Sequence, residues 1–141
     1  MSGVYTQFPE IRTHMRRSCA IGRSQGYVED IFGRKRFLPD LTSRDPNRRE
    51  RAELQATNAP IQMSGASILK LAIIGTKRMI DQCGFHAHPL LSVHDEVLVE
   101  CLDEEVTEFS TRFKEVMEGV TTLSVPLEAE VHCGKSWSEC K

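Results

Sequence analysis

The sequence predicts an α+β fold: an antiparallel sheet packed by helices, with an N-terminal helix and hairpin arm. Three observations predict it. Apolar residues recur at helical spacing in several long stretches. Short apolar runs bracket two polar bends, Phe32-Gly33-Arg34-Lys35 and His94-Asp95-Glu96. A last alternating run, Leu127 to Val131, follows the final helical pattern.

The elements follow in chain order. Phe8, Ile11, Met15 and Cys19 share one helical face, so residues 9–25 read as an amphipathic helix with Pro9 tolerated in its first turn. Gly26 stops it. Tyr27 to Ile31 and Arg36 to Leu38 then form a small hairpin with Gly33 in the turn. Pro39, Asp40, Ser43, Asp45 and Pro46 make a loop that leads into a second helix, about 46–57.

Asn58-Ala59-Pro60 is expected to interrupt that helix, because a proline disfavours helical dihedrals in the residue before it. Pro60 then opens a new helix through Ile61, Ser64, Ile68, Leu71, Ala72 and Met79, ending near Cys83 with Gly84 just past its end. Its Leu/Ile/Met stripe over 68–79 reads as core. Leu90 to Val93 and Val97 to Val99 are short strands joined at His94-Asp95-Glu96. Residues 103–119 form an acidic-started amphipathic helix, with Val106, Phe109, Phe113, Val116 and Met117 on one face. Leu127 to Val131 is expected to be a closing strand, with Trp137 anchoring the tail. The expected division is 1–59, holding the first helix, basic hairpin and connecting helix, and 60–141, holding the rest.

At 141 residues and 40% hydrophobic content the chain is about one domain long and can build a core. No apolar run approaches the roughly 20 residues of a membrane helix, and the first ten residues lack a signal-peptide pattern. Five cysteines with no Cys-x-x-Cys pairing point to a reduced, cytoplasmic setting. The net charge of -2 is unevenly spread. Residues 1–51 carry eleven Lys/Arg against six Asp/Glu, and the remainder seven against fourteen. A basic first third suits phosphate contact; a solvated, salt-bridged surface has the same composition.

Chemistry concentrates at the His94-Asp95-Glu96 bend. A carboxylate at the tip of a tight strand pair is held by backbone hydrogen bonds, which suits an oxygen ligand for Mg²⁺. Alone, the triplet is an ordinary polar turn. Cys83-Gly-Phe-His86-Ala-His88 offers three zinc-ligating residues with no clear fourth, in what reads as a helix-to-strand connection. Asn58 and Gln62 are four residues apart, about one helical turn, so both amides can face one groove. Amides can donate to the minor-groove acceptors common to all base pairs.

These segments together resemble family A (DNA polymerase I-like) DNA polymerases. Val93 to Val97 matches the family's apolar–His-Asp-Glu–apolar palm hairpin. Gly26-Tyr-Val-Glu-Asp-Ile-Phe-Gly-Arg-Lys-Arg-Phe-Leu-Pro-Asp40 is similar to its Gly-Tyr-Val-Glu segment, and Asn58-Ala-Pro-Ile-Gln62 to its Asn-x-Pro-x-Gln helix. Tyr5 to Arg12 fits the segment after the fingers. Met117-Glu-Gly-Val, Leu123-Ser-Val-Pro-Leu-Glu and Trp137 resemble the closing elements. The matches are collinear over nearly the whole chain.

The resemblance implies a palm-type sheet and two-metal nucleotidyl transfer in a bacterial or phage-infected cell. Asp95 is then one of two aspartates holding paired Mg²⁺, His94 lies near the primer 3′ end, and Glu96 is a nearby carboxylate tuning the site. Asn58 and Gln62 contact primer–template DNA, and Arg48 and Arg49 match basic positions that meet phosphates. Arg34, Lys35 and Arg36 are either solvated surface or DNA-backbone contacts. Two departures stand out: Leu54 where many relatives have Arg, and Ser67 where the family usually has Asp. Both suggest a phage or otherwise divergent branch.

The family's first aspartate, from an Asp-Tyr-Ser-type strand, and its Lys- and Tyr-bearing fingers helix have no match here. The expectation is a split or fragmentary polymerase, inactive without an N-terminal polymerase polypeptide, that meets dNTP only together with that half. Apolar surface left for the missing half implies self-association. The alternative is a non-catalytic remnant that binds DNA or a replication protein. A single-subunit RNA polymerase shares the palm His-Asp, but Glu96 and the Asn58/Gln62 helix fit the DNA enzymes better.

Overall fold

Helical spacing of Phe8, Ile11, Met15 and Cys19 produces a helix where it should. In the computed structural model, which describes residues 2–140, a short α1 (Ser2–Gln7) precedes α2 (Pro9–Gln25). Gly26 ends α2 in the left-handed region at φ 80°, its N–H returning to the Gly22 carbonyl. Then come β1 (Tyr27–Glu29) and β2 (Lys35–Phe37), α3 (Pro46–Cys83), β3 (Ala87–Val93), β4 (Glu96–Cys101) and α4 (Val106–Gly119). A single 3-10 turn occupies Pro39–Thr42 and another Trp137–Glu139. The fold is mixed α+β, with two small antiparallel sheets of two strands each. The chain divides into two compact units between Ser67 and Ile68.

The first unit packs Val28, Leu38 and Leu41 against Ala52, Ala56 and Ala59 of α3. The alanines recur at i, i+4 and i+7, one stripe on the helix, and their small size lets neighbouring backbone come close. Gly22 of α2 shares this need: a Cβ there would stand 2.5 Å from Leu41 Cδ1. Polar ties add to the packing. His14 Nε2 lies 3.2 Å from the Thr57 carbonyl, and Arg23 pairs with Glu53.

The second unit is built on Met79, Ile80, Ala87, Phe109 and Phe113. Phe85 meets Phe109 edge-on at 5.5 Å, and Phe109 stacks on Phe113 one helical turn away at 5.6 Å. Val97, Val99 and Cys101 add alternate residues of β4 to this core, the period of two expected of a strand with one buried face.

Four expectations need correction. Pro60 does not break the helix; α3 runs unbroken through it. The ring removes one N–H and costs about 3 kcal/mol in a helix interior, but Ala56 and Ala59, in the turn just before it, are fully packed, at 0% and 2% exposure. Burial of that stripe outweighs the local preference. Leu127 to Val131 is not a strand among the described residues: its one backbone tie is Ala129 N–H to the Glu118 carboxylate, 3.0 Å, and a strand requires a ladder partner. Trp137 is half exposed rather than an anchor. The stripe over 68–79 is core only in part: Ala72, Thr76 and Met79 are buried, while Leu71 and Ile74 lie open.

Candidate functional site

The first candidate is the tip of the β3–β4 hairpin. Val93 pairs with Glu96, which leaves His94 and Asp95 as a two-residue turn. Turns this short demand unusual dihedrals, and His94 supplies one at φ 54°, the only positive φ of a non-glycine residue among those described. Left-handed backbone costs an L-residue about 1 kcal/mol, and such strain gathers at working sites.

A bulge lies five residues upstream: Pro89 pairs with Val99 but Leu91 with Leu98, so Leu90 is the extra residue. The bulge switches which residues of β3 share the core-facing side of β4, and it re-aims the tip. His94, Asp95 and Glu96 are all exposed. The Asp95 and Glu96 carboxylates make no hydrogen bond or ion pair among the described residues.

An open, unpaired carboxylate on a fixed turn fits Mg²⁺, which binds through one or two carboxylates together with waters and substrate phosphates. No cluster of three or more His, Cys, Asp or Glu side chains suited to a metal forms among the described residues. The hairpin therefore offers ligand positions rather than a closed cage. His86, the histidine nearest Cys83, is committed elsewhere: its backbone N–H and its Nδ1 both meet the Glu105 carboxylate, at 2.8 and 2.9 Å.

The second candidate is a groove of about 130 Å³ in the first unit, lined by Arg36, Leu54, Gln55, Asn58, Ala59 and Gln62. Because α3 continues through Pro60, Asn58 and Gln62 stand on one face about 6 Å apart along the axis. Both are exposed, and their amides bond to no described residue. Asn58 is mid-helix and caps nothing. Arg36 on β2 brings a cation to the same groove; its guanidinium has no carboxylate partner among the described residues. The groove combines three amides, of Gln55, Asn58 and Gln62, and one free cation with the apolar Leu54 and Ala59, which suits a polyanion bearing hydrogen-bond acceptors.

The other basic residues are partly occupied. Arg48 pairs with Asp40 at 2.9 Å, and Arg49 donates to the Ser43 carbonyl at 3.1 Å, so both brace the loop before α3. Lys35 lies over the Tyr27 ring at 4.4 Å and 3.9 Å from Glu29. Arg34 donates its backbone N–H to Asp30. The Arg48–Asp40 and Lys35–Glu29 pairs are solvent-exposed, so each is worth at most about 1 kcal/mol and can yield to a phosphate; the Arg49 bond is part-buried.

Sequence reasoning missed Asp30. Its side chain is buried at 6% exposure. Oδ1 accepts from Phe32 N–H (2.9 Å) and Arg34 N–H (2.8 Å), and Oδ2 accepts from Ser67 Oγ (2.6 Å). Burial pushes its pKa up, but the hydrogen bonds from Ser67, Arg34 and Phe32 outweigh it and hold the carboxyl below its ordinary value. An Asp leading into a Gly-containing turn was a usable signal for local backbone capture; Ser67 as partner was not visible without the fold.

Comparison with known proteins shows the family. Residues 1–139 match the family model "DNA polymerase family A". The thermostable DNA polymerase I of Thermus filiformis is 42% identical over 97% of the chain, and the DNA polymerase I of Streptococcus pneumoniae serotype 4 is 41% identical over the same share. The chain spans 16% of the length of each. Among solved structures, the POL domain of Pol1 from M. smegmatis, in complex with DNA primer-template and dNTP, superposes with a TM-score of 0.93 at 38% identity. That match covers 96% of this chain and 24% of the other.

Proposed function

The chain belongs to DNA polymerase family A and covers part of its polymerase domain, and on that premise we propose that it supplies the palm hairpin and a DNA-gripping groove to template-directed, Mg²⁺-dependent nucleotidyl transfer. The observation that carries the reading is Asp95: an exposed, unpaired carboxylate on a strained turn, within the residues 1–139 that match the family.

Asp95 would hold metal, with Glu96 adding negative potential beside it and His94 placed near the primer 3′ end. Bound Mg²⁺ would activate the 3′ oxygen and neutralise charge on the transferred phosphoryl group. Asn58 and Gln62 would donate to minor-groove acceptors without sequence preference, and Arg36 would meet the backbone. Arg34, Lys35, Arg48 and Arg49 would add phosphate contacts, Lys35 and Arg48 by exchanging weak surface pairs. Clamping two ions takes a further carboxylate. In this reading it comes from the remainder of the polymerase, on the same or a separate polypeptide, as do the nucleotide-gripping fingers. The chain alone is then inactive.

The test is complementation. The chain mixed with a polypeptide carrying the preceding part of the polymerase should extend a primer in Mg²⁺, and Asp95→Ala should abolish extension. Assembly without extension would sink the proposal. A second reading, a non-catalytic DNA-holding module, is favoured by one observation: the groove is complete within residues 36–62, without the β3–β4 hairpin. It predicts DNA binding with no extension in any assembly.

A further inference from the structure

The hairpin that carries Arg36 is fastened to α3 by a small set of bonds. Ser64 and Ser67 stand three residues apart on α3, hence on one face. Ser64 Oγ accepts from Ile31 N–H at 3.1 Å while donating to the Pro60 carbonyl at 2.6 Å. Ser67 Oγ donates to Asp30. The same Asp30 carboxylate gathers the N–H groups of Phe32 and Arg34, and the Asp30 backbone closes the turn with Arg34 and Gly33. The Asp30 side chain thus ties the turn internally and, beside the Ile31–Ser64 bond, to the helix. Two residues beyond Arg34, the β2 strand delivers Arg36 opposite Val28, into the groove of Asn58 and Gln62.

We propose that Asp30 is a positioning residue for DNA grip: through Ser67 it fixes the basic hairpin against α3, so that Arg36 stands in the groove beside Asn58 and Gln62. The inference rests on the groove being a DNA contact, as proposed above. It also gives the Ser at position 67 a purpose. The helix there offers a donor to a carboxylate that comes from the hairpin, and the acid is part of the loop it organises.

Geometry separates this role from general stability. If Asp30 acts on DNA through Arg36, removing either should cost the same affinity, and removing both should cost no more. Primer–template affinity and its salt dependence would be measured on the assembled polymerase, with thermal unfolding of each variant alongside. Expected results are a loss of about tenfold for Arg36→Ala, a similar loss for Asp30→Ala, and nothing further in the double variant. Asp30→Asn should restore most of the affinity, because an amide oxygen can still accept from Phe32 and Arg34 and its NH₂ can donate to Ser67. Multiplicative losses in the double variant would overturn the inference, as would Asp30→Asn failing like Asp30→Ala. Normal affinity in Arg36→Ala would also overturn it, and would leave the DNA groove standing if Asn58→Ala and Gln62→Ala still weaken binding. If none of these variants changes affinity, the groove itself is not a DNA contact.

Discussion

Asn58 and Gln62 present their amides to one groove from either side of Pro60, on a helix the proline does not interrupt. Two helices meeting at residue 59 would leave the angle between these side chains free. One continuous helix sets it. The local defect is therefore tolerated where the groove is built, at the cost of one missing backbone hydrogen bond to the Ala56 carbonyl.

That cost is measurable. Pro60→Ala should raise stability by about 1–3 kcal/mol while leaving primer–template affinity unchanged, because Asn58 and Gln62 keep their face. Urea unfolding and DNA titration on the same variant check it. A fall in stability would mean the proline relieves strain rather than adding it.

Amides and cations in the groove should differ in salt dependence. Asn58→Ala and Gln62→Ala should each weaken primer–template binding by about 1 kcal/mol at every salt concentration. Arg36→Ala should weaken it most at low salt and reduce the slope of log affinity against log salt by about one. Equal slopes for all three would show that Arg36 makes no phosphate contact.

His94 at φ 54° sets a steric limit on the hairpin tip. Histidine is among the side chains enriched at positive φ, whereas a β-branched residue is a severe outlier there. His94→Val should destabilise the second unit by about 1–2 kcal/mol and His94→Asn by much less, as read by thermal unfolding. Similar losses would show the turn relaxing away from positive φ.

The hydrogen bond His86 Nδ1–H donates to the Glu105 carboxylate, with that carboxylate's charge, raises His86 above the ordinary histidine pKa. A group raised on folding stabilises most below its unfolded pKa, about 6.5, and loses that contribution as pH climbs through the folded value. Stability should therefore decline slightly as pH rises from about 6 into that range. Glu105→Gln should flatten the decline and return the His86 titration, followed by NMR, toward 6.5. Exposure of the ring keeps the effect small.

Much of this molecule was legible without coordinates. Helix α2 and its Gly26 stop, the hairpin turning at Gly33, Gly84 past the end of α3, and the two strands around His94-Asp95 all follow from local rules that the fold leaves alone. Pro60 was misread because a local dihedral preference lost to burial of Ala56 and Ala59, which lie far in sequence from what they pack against. Residues 127–131 have strand alternation without a described ladder partner, and alternation records a face to bury rather than a bond made. Among the candidate residues, Asn58 and Gln62 can be placed on one face from spacing, whereas Asp95 alone is an ordinary turn residue and stands out only through the resemblance of the segments around it. Asp30 could not, because its role depends on Ser67, thirty-seven residues away.

The central claim is that Asp95 acts in chemistry and not in DNA binding. Its most direct test is single-turnover nucleotide incorporation by the assembled polymerase carrying Asp95→Asn, with primer–template affinity measured on the same preparation. The account predicts a rate lower by on the order of a thousandfold, several kcal/mol of lost metal stabilisation, with DNA affinity unchanged. Incorporation at the wild-type rate, or a loss confined to DNA affinity, would contradict it.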